Sequence, residues 1–353
     1  LIRIIPAEEV KMNKKLISFL FSIFLVLVVV SFVGCNKEAT ELRKKQIVVY
    51  AYDSFLSEWG PAPVLEKLFE EHSDYDLIFQ SVGDAAQVLS KATVERANPK
   101  ADVLIGIDNN LFEKAKYSNI LEPYVSHNLK EIPEHLLFDE KGTLTPFDWS
   151  NFAFIYNTQS DVPEPKSLMD LTKEVYNKKI ILMDPRTSTP GLGFVAWTLA
   201  QFGDATVNYW YALRPNILTM APGWDTGFGL FTSGEAPLVI SYTTSPAYHV
   251  EYGETDKFKA LIFDEGHPYQ VEGAGIVKRC KNPEGAKEFI DFLISEEAQS
   301  VIPLTQWMYP VADNVLLPES YKAAPKAKKN LSVDAQTLDR TVNDIVFMLN
   351  NAE

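Results

Sequence analysis

The sequence has little cysteine, little histidine and a shortage of positive charge. Its 353 residues include 2 cysteines and 5 histidines, and no Cys/His cluster has the spacing of a metal site, so we expect no bound metal. Asp and Glu outnumber Lys and Arg by 47 to 33, which gives a formal net charge of −14. Nucleic acids and anionic membrane surfaces are therefore poor partners for the folded chain, and a cationic small ligand is favoured.

Length and composition indicate a globular protein of two domains. Hydrophobic residues make up 46% of the chain and charged residues 23%, which is typical of soluble proteins. A chain of 353 residues is longer than one ordinary hydrophobic core can organise, so we expect two domains.

The N-terminal segment has the pattern of a targeting signal rather than of a folded domain. Residues 1–11 precede Met12 and look like an upstream extension of the true start. Two lysines follow the methionine, and a nearly uniform apolar run, 16–33, leads to Cys35, an order typical of an export signal. Residues 32–35, which end at this cysteine, resemble the lipobox of bacterial lipoproteins. We therefore expect residues 1–34 to be removed and Cys35 to carry the lipid.

On this interpretation the folded chain lies outside the cytoplasmic membrane, anchored by Cys35, and residues 35–45 form a solvated tether. The alternative is an uncleaved transmembrane anchor, because a run of about 18 apolar residues can just span a bilayer. With Cys35 lipidated, Cys280 has no partner for a disulfide. Basic neighbours could lower the pKa of Cys280, but its surroundings favour an exposed turn without a chemical role.

Three strand-and-helix units are predicted in the first part of the chain. The strands lie at 46–50, 77–82 and 102–106, and each is followed by a helical pattern. Strands that alternate with helices build a mostly parallel sheet, whose ligands bind beyond the carboxyl ends of the strands. The loops at that edge carry Tyr52, Asp53, Trp59, Asp84 and Asp108.

The pattern begins again in the second half, after a long extended segment at 145–156. A strand at 180–183 starts the second set of elements, and another extended stretch, 269–277, returns to the first. Two sheets joined by two extended crossings predict a hinge with a cleft that closes around a ligand. An amphipathic helix is predicted at 283–297, and a last helix runs from a Ser332 cap.

Two hydroxyl-rich helix starts are local signals for a binding site. The stretch Ser241–Tyr248 follows an apolar strand, and its Ser245 is predicted to cap a helix that has Pro246 at its first position. Residues 188–190 repeat this pattern. Such helix starts offer backbone N–H groups to an anion, although they also occur as purely structural caps.

Six motifs together resemble the thiamine-binding proteins of bacterial ATP-binding-cassette importers, a family of periplasmic binding proteins. The motifs are 52–55, 58–61, 101–110, 184–193, 241–248 and 307–311. They occur in the same order as in that family, and several are eight or more residues long. The resemblance implies an α/β fold of the two-lobed periplasmic binding protein type (type II), with a hinged ligand cleft between its lobes.

We assign lobe 1 to residues 46–147 and 271–317, lobe 2 to residues 148–270, and a C-terminal helical segment to residues 318–353. The resemblance further implies a monomeric binding protein without enzymatic activity or cofactor. Its ligand would be thiamine or a thiamine phosphate, and its partner the permease of the importer in the membrane.

The ligand-binding positions that the resemblance implies come from both lobes. They are Tyr52, Trp59, Asp84, Ala85, Ser188, Thr189, Trp224, Tyr242, Thr243, Thr244, Ser245, Tyr248 and Trp307. The chain departs from the family pattern at Ala85, where glycine is usual. Alanine would carry a cost there if the backbone needed a positive φ.

The chemistry of these residue types suits such a ligand. Thiamine combines a thiazolium cation with a flat aminopyrimidine, and aromatic faces with a carboxylate complement both. A phosphate would lie on the helix starts near Thr189 and near Thr244 and Ser245. Tyr242 and Tyr248 would contact the rings.

Two other functions remain open from the sequence. A thiaminase-like enzyme of the same fold would need a cysteine nucleophile and an acidic base, but the cleft loops contain no cysteine. A ferric-ion-binding protein would use paired tyrosines, and here Tyr242 and Tyr248 are separated and no adjacent pair occurs.

Overall fold

The computed structural model describes residues 44–253 and 257–351. The predicted signal segment, Cys35 and nearly all of the predicted tether lie outside the described residues. Among the residues that are described, no helix is both long and apolar enough to cross a membrane.

Twelve strands form the sheet of the described chain. They are β1 (Lys45–Ala51), β2 (Tyr75–Ser81), β3 (Val103–Asp108), β4 (Leu121–Glu122), β5 (Thr145–Asn157), β6 (Ile180–Met183), β7 (Ile217–Ala221), β8 (Leu238–Tyr242), β9 (Phe258–Ala260), β10 (His267–Val277), β11 (Tyr309–Pro310) and β12 (Asn330–Leu331). The main order across the sheet is β2-β1-β3-β10-β5-β8-β6-β7.

The order of the strands divides the sheet into two halves with a common centre. The first sheet half (β2, β1, β3) and the second sheet half (β7, β6, β8) are each parallel. Between them lie β5 and β10, the two central strands, which pair antiparallel with each other and with the adjacent strand on either side. The extended crossings predicted from the sequence are therefore these two long strands.

Ten α-helices cover the sheet in the part of the chain that the structure describes. They are α1 (Ala62–His72), α2 (Ala85–Val94), α3 (Phe112–Ser118), α4 (Thr189–Phe202), α5 (Thr206–Leu213), α6 (Trp224–Thr232), α7 (Ser245–Glu251), α8 (Pro283–Leu293), α9 (Glu296–Thr305) and α10 (Ala335–Asn351). Short 3-10 helices lie at Asp53–Leu56, Leu129–Glu131, Glu134–Leu136, Met169–Thr172, Glu174–Tyr176, Gly203–Ala205, Arg214–Asn216 and Glu319–Ala323.

Each sheet half has its own aromatic core. In the first, α1 buries Leu65 and Phe69, and the Phe69 ring meets Phe289 of α8 edge-on at 5.6 Å. In the second, α4 is buried on all sides over its first ten residues, and the Trp197 indole donates to the carbonyl of Gly266 at 2.8 Å. Burying an aromatic side chain contributes about 1.5–3 kcal/mol, so these clusters fix the strand ends on which the site is built.

Two helix boundaries differ from the sequence prediction. The helix predicted at 283–297 is two helices, because α8 ends at Leu293 and Ser295 caps the next one by accepting the backbone N–H of Ala298 at 3.3 Å. The last helix is capped by Asp334, which accepts the backbone N–H of Thr337 at 2.8 Å, and not by Ser332. In both places a single capping side chain, Ser295 or Asp334, sets where the helix begins.

The C-terminal segment does not stand apart from the sheet halves. Strand β12 pairs with the beginning of β10, the 3-10 helix Glu319–Ala323 packs on α7, and α10 packs on α4 and α5. The Tyr321 hydroxyl donates toward the carbonyls of Pro303 and Met308, both at 2.9 Å. The segment therefore runs back from α9 and β11 to the helices of the second sheet half.

Candidate functional site

A cavity of about 220 Å³ lies between the two sheet halves. It is lined by Tyr52, Ser54, Trp59, Asp84, Thr189, Pro190, Trp224, Asp225, Phe228, Gly229, Thr232, Tyr242, Ser245, Tyr248, Glu272, Gln306, Trp307 and Met308. The lining comes from the ends of β1, β2, β6, β7 and β8 and from the loops and helices that follow them, with contributions from β10 and from the end of α9. This is the edge of the sheet at which open α/β folds bind their ligands.

Nine of the thirteen positions expected from the sequence line this cavity. They are Tyr52, Trp59, Asp84, Thr189, Trp224, Tyr242, Ser245, Tyr248 and Trp307. The other four, Ala85, Ser188, Thr243 and Thr244, do not line it and are buried. The structure thus brings together the aromatic positions and one carboxylate, and it leaves part of each hydroxyl cluster behind the wall.

The hydroxyls of the 241–248 stretch act differently from the predicted caps. Helix α7 begins at Ser245, not after it, because Thr244 already has helical dihedral angles. The Ser245 hydroxyl makes no capping bond; it lies 2.9 Å from the Ser241 hydroxyl and accepts the Tyr242 N–H at 3.3 Å. The prediction of a Ser245 cap is therefore wrong by one residue.

Thr243 and Thr244 are held by the central strand β5. Their hydroxyl oxygens lie 3.2 and 3.1 Å from the Ser150 hydroxyl, and the backbone N–H of Thr243 donates to Asn151 at 2.8 Å. Since all these groups are buried, their hydrogen bonds keep β8 in register with β5.

The start of α4 shows the same one-residue shift. The helix begins at Thr189, Ser188 is its N-terminal flanking residue without a side-chain capping bond, and Pro190 is the second helical residue. Thr189 and Pro190 line the cavity, whereas Ser188 is fully buried. A ligand can therefore reach Thr189 at this helix start, but not Ser188.

Asp84 joins the two sheet halves. One carboxylate oxygen accepts the N–H of Ala85 at 2.6 Å, and the other accepts the N–H of Trp224, the first residue of α6, at 3.0 Å. Gln87 accepts the Asp84 N–H at 2.8 Å, which completes a capping box on α2. The carboxylate thus lies at the N-termini of helices from both halves, where the helix dipoles favour a negative charge.

Burial raises the pKa of Asp84, and the hydrogen bonds from the backbone N–H groups of Ala85 and Trp224 oppose that rise. Gly223 permits the close approach of α6, since a Cβ at this position would lie 2.9 Å from the Asp84 carboxylate oxygen. Ala85 is absent from the described non-glycine residues with positive φ. Alanine at this position therefore carries no left-handed backbone strain.

Aromatic rings form most of the cavity wall. Trp59 and Trp224, from opposite sheet halves, have ring centroids 6.2 Å apart, and Trp224 stacks on Phe228 at 4.8 Å. On the other side Tyr248 meets Trp307 edge-on at 5.2 Å. Flat rings and cations both bind well against such faces.

Glu272 and Gln306 line the floor of the cavity and were missed by the sequence reasoning. Tyr52 donates its hydroxyl to Glu272 at 2.8 Å, Gln270 donates its side-chain amide at 2.5 Å, and Gln306 donates to the Tyr52 hydroxyl. A signal was present, because Glu272 is a charged residue within an apolar strand, where an unpaired charge is costly. The remaining missed lining residues are Ser54, Pro190, Asp225, Phe228, Gly229, Thr232 and Met308.

The charge of the cavity is negative. Asp84, Asp225 and Glu272 line it, and no Lys, Arg or His is among the described lining residues. Two further acids, Asp108 and Asp148, are fully buried close by. Such a cavity favours a cation over an anion.

Cys280 lies away from this cavity. It follows the end of β10, where that strand pairs with β4 and with the start of β3, at the opposite edge of the sheet. Burial raises the pKa of the Cys280 thiol to about 11, so it is not a reactive thiolate at neutral pH. In the described part of the chain, no group of three or more His, Cys, Asp and Glu residues is arranged to hold a metal ion.

The hinged cleft between two α/β halves, lined by aromatic and acidic side chains, defines a solute-binding protein. The chain matches the family of bacterial extracellular solute-binding proteins over residues 98–339, and it belongs to that family.

Within this class the chain is similar to thiamine-binding periplasmic proteins. That of Salmonella typhimurium is 38% identical over 299 residues, which cover 84% of this chain and 90% of that protein. That of Escherichia coli is 39% identical over 294 residues, or 83% of this chain and 89% of the relative. A solved periplasmic thiamin binding protein superposes with a TM-score of 0.82 at 36% identity and covers 87% of this chain and 96% of its own. The predicted two-lobed fold is thereby confirmed.

Proposed function

We propose that this protein captures thiamine, and thiamine phosphates, outside the cytoplasmic membrane and delivers them to the permease of an ATP-binding-cassette importer. One observation carries the proposal: the cavity between the sheet halves combines aromatic faces with carboxylates and has no basic side chain among its described lining residues. A cationic, two-ringed ligand fits this chemistry. The relatives named thiamine-binding periplasmic proteins support the same ligand.

The lining residues divide into ring contacts and charge contacts. Trp59 and Trp224 form one aromatic side of the cavity, and Tyr248 with Trp307 forms the other. The carboxylates supply the charge that complements a thiazolium ring. The hydroxyl of Thr189, at the start of a 14-residue helix, is the contact for a hydroxyethyl or phosphate end.

Closure of the cleft follows from differential binding. A ligand that touches both sheet halves stabilises the arrangement in which Asp84 bonds the Trp224 N–H, because only this arrangement offers both walls at once. In this proposal the lobes follow the boundaries given above, with residues 46–147 and 271–317 in lobe 1 and residues 148–270 in lobe 2. A lipid on Cys35 would keep the protein beside its permease.

Parallel titrations of thiamine, thiamine monophosphate and thiamine diphosphate test the proposal. We expect quenching of tryptophan fluorescence and a calorimetric heat at micromolar thiamine, since three tryptophans, Trp59, Trp224 and Trp307, line the cavity. A protein that gives neither signal with any of the three compounds does not have this function. The order of the three affinities defines the physiological form of the ligand.

A further inference from the structure

Two buried carboxyl groups face each other across the central strands at the floor of the cavity. Asp148 on β5 and Glu272 on β10 are direct cross-strand partners, and the exposed fraction of each is at most 4%. Directly opposed residues project to the same face of a sheet with Cβ atoms about 4.5–5.5 Å apart. Glu272 lines the cavity, so Asp148 stands beside it on the two strands that connect the sheet halves.

The two carboxyl groups have unequal hydrogen bonding. Glu272 accepts the Tyr52 hydroxyl at 2.8 Å on one oxygen and the Gln270 amide at 2.5 Å on the other. Neither oxygen of Asp148 has a hydrogen bond of normal geometry within the described residues. Donors stabilise the ionised form of a carboxyl group, so Glu272 is the member of the pair that can ionise and Asp148 is the member that keeps a proton.

Among the described residues, no basic group compensates the charge of the pair. The titratable groups that face the pair from neighbouring elements are Tyr52, Asp84, Asp108, Tyr242 and Tyr321. All of them are acids, which are neutral when protonated and negative when ionised. Burial and the charges of Asp108 and Asp84 raise the pKa of Glu272 to about 8, and burial and the charge of Glu272 raise the pKa of Asp148 well above its usual range. The empty cavity at neutral pH therefore holds a proton on Glu272 as well as on Asp148.

We propose that Glu272 is the counter-ion of the ligand's cationic ring, and that entry of the cation displaces one proton from Glu272 while Asp148 stays protonated. This inference rests on the function proposed above. The Glu272 O–H bond breaks and the proton leaves to a buffer base. The carboxylate that remains balances the positive ring, so the total charge of the cavity is unchanged.

This exchange makes the floor of the cavity selective for charge. A cation replaces a proton and meets a carboxylate that Tyr52 and Gln270 already orient. A neutral ring of the same shape leaves the proton in place and gains no ion pair, and an anion meets the buried acids. Because binding releases a proton, the dissociation constant for thiamine rises about tenfold for each unit by which the pH is lowered below the pKa of Glu272.

Calorimetry of thiamine binding at pH 7 in buffers of different ionisation enthalpy measures the proton count. We expect about one proton released per thiamine bound by the wild-type protein. Glu272→Gln should release none and should bind more weakly. Asp148→Asn, the same change at the opposite position, should release the wild-type number, since it replaces a neutral acid by a neutral amide.

Asp225→Asn is a further control, since Asp225 is an exposed acid at the same cavity, and it should keep the proton release. Thiamine binding by the wild type without proton release overturns this inference and leaves the proposed function intact. Persistent release in Glu272→Gln, or its loss only in Asp148→Asn, also overturns it. Absence of any thiamine binding overturns the proposed function itself.

Discussion

Replacing Asp84 by asparagine should weaken ligand binding strongly and change the stability of the empty protein little. Asparagine is as good a helix cap as aspartate, so the bond to the Ala85 N–H and the capping box on α2 can persist. The second carboxylate oxygen, which accepts the Trp224 N–H at 3.0 Å, becomes an amide nitrogen that cannot accept. The substitution therefore removes a bond between the sheet halves without removing the cap.

The size of the effect follows from that single bond. A hydrogen bond to a charged group contributes about 1.5–3 kcal/mol, and every 1.4 kcal/mol corresponds to about a factor of ten in affinity. We expect the dissociation constant for thiamine to rise about 10- to 150-fold in Asp84→Asn. In Asp84→Ala the same loss should be joined by about 0.5–2 kcal/mol of lost stability, because the cap is gone.

The assay is a fluorescence titration of each variant beside a thermal unfolding curve of the empty protein. Asp334→Asn is the matched control, since Asp334 caps α10 in the same way and lies outside the cavity lining. Gly223→Ala tests the same contact from the other side, because its Cβ would lie 2.9 Å from the Asp84 carboxylate oxygen. An Asp84→Asn protein that binds within twofold of wild type, or an equal loss in Asp334→Asn, refutes the reasoning.

Three further substitutions have defined outcomes. Glu272→Gln should stabilise the empty protein at pH 7 by up to about 3 kcal/mol in unfolding free energy. The pKa of Glu272 is raised in the folded protein, so the wild-type residue costs stability at any pH above the pKa it has in the unfolded chain. The gain from the substitution should vanish near pH 4, and a gain that is constant with pH would contradict this cause. Trp59→Ala should weaken thiamine binding by about 1–2.5 kcal/mol through loss of ring contacts, whereas Tyr117→Ala, a 93% exposed aromatic outside the lining, should bind as wild type in the same titration. Cys280→Ala should bind thiamine as the wild type does. If NMR showed that the wild type cleaves thiamine and that Cys280→Ala does not, the protein would be an enzyme instead.

The parts of the fold that depend on local patterning could be predicted from the sequence. Strands β1 and β6 are short apolar runs, and the two central strands are long extended segments with polar residues among apolar ones. The structure has all four within one or two residues of the predicted ends. The two extended crossings followed from the break between two alternating patterns, whereas the pairing of β5 with β10 is a long-range contact that only the structure shows. The edge of the sheet that holds Tyr52, Trp59 and Asp84 followed from the same rule.

The parts that failed depend on single hydrogen bonds. A hydroxyl before a proline predicts a cap at Ser245, but the Ser241 hydroxyl competes for that side chain at 2.9 Å, and the helix begins one residue earlier. The break before α9 depends on Ser295 alone. Neither competition is visible in an apolar pattern.

Glu272 and Gln306 were missed for a different reason. Loop residues at strand ends carry a positional signal, whereas Glu272 lies inside a strand and Gln306 directly after a helix. Their role depends on Tyr52, more than two hundred residues away in the sequence from either of them. Only the folded chain shows that these side chains meet.

The Trp59–Trp224 pair gives the protein an intrinsic spectroscopic signal of its conformation. The two indoles belong to different sheet halves and lie 6.2 Å apart at a tilt of 60°, close enough for their electronic transitions to couple. An exciton couplet in the circular dichroism spectrum should therefore accompany the arrangement of the halves described above and disappear when they separate. The opening and closing of this protein can thus be followed in real time without a dye, a tag or a second chromophore.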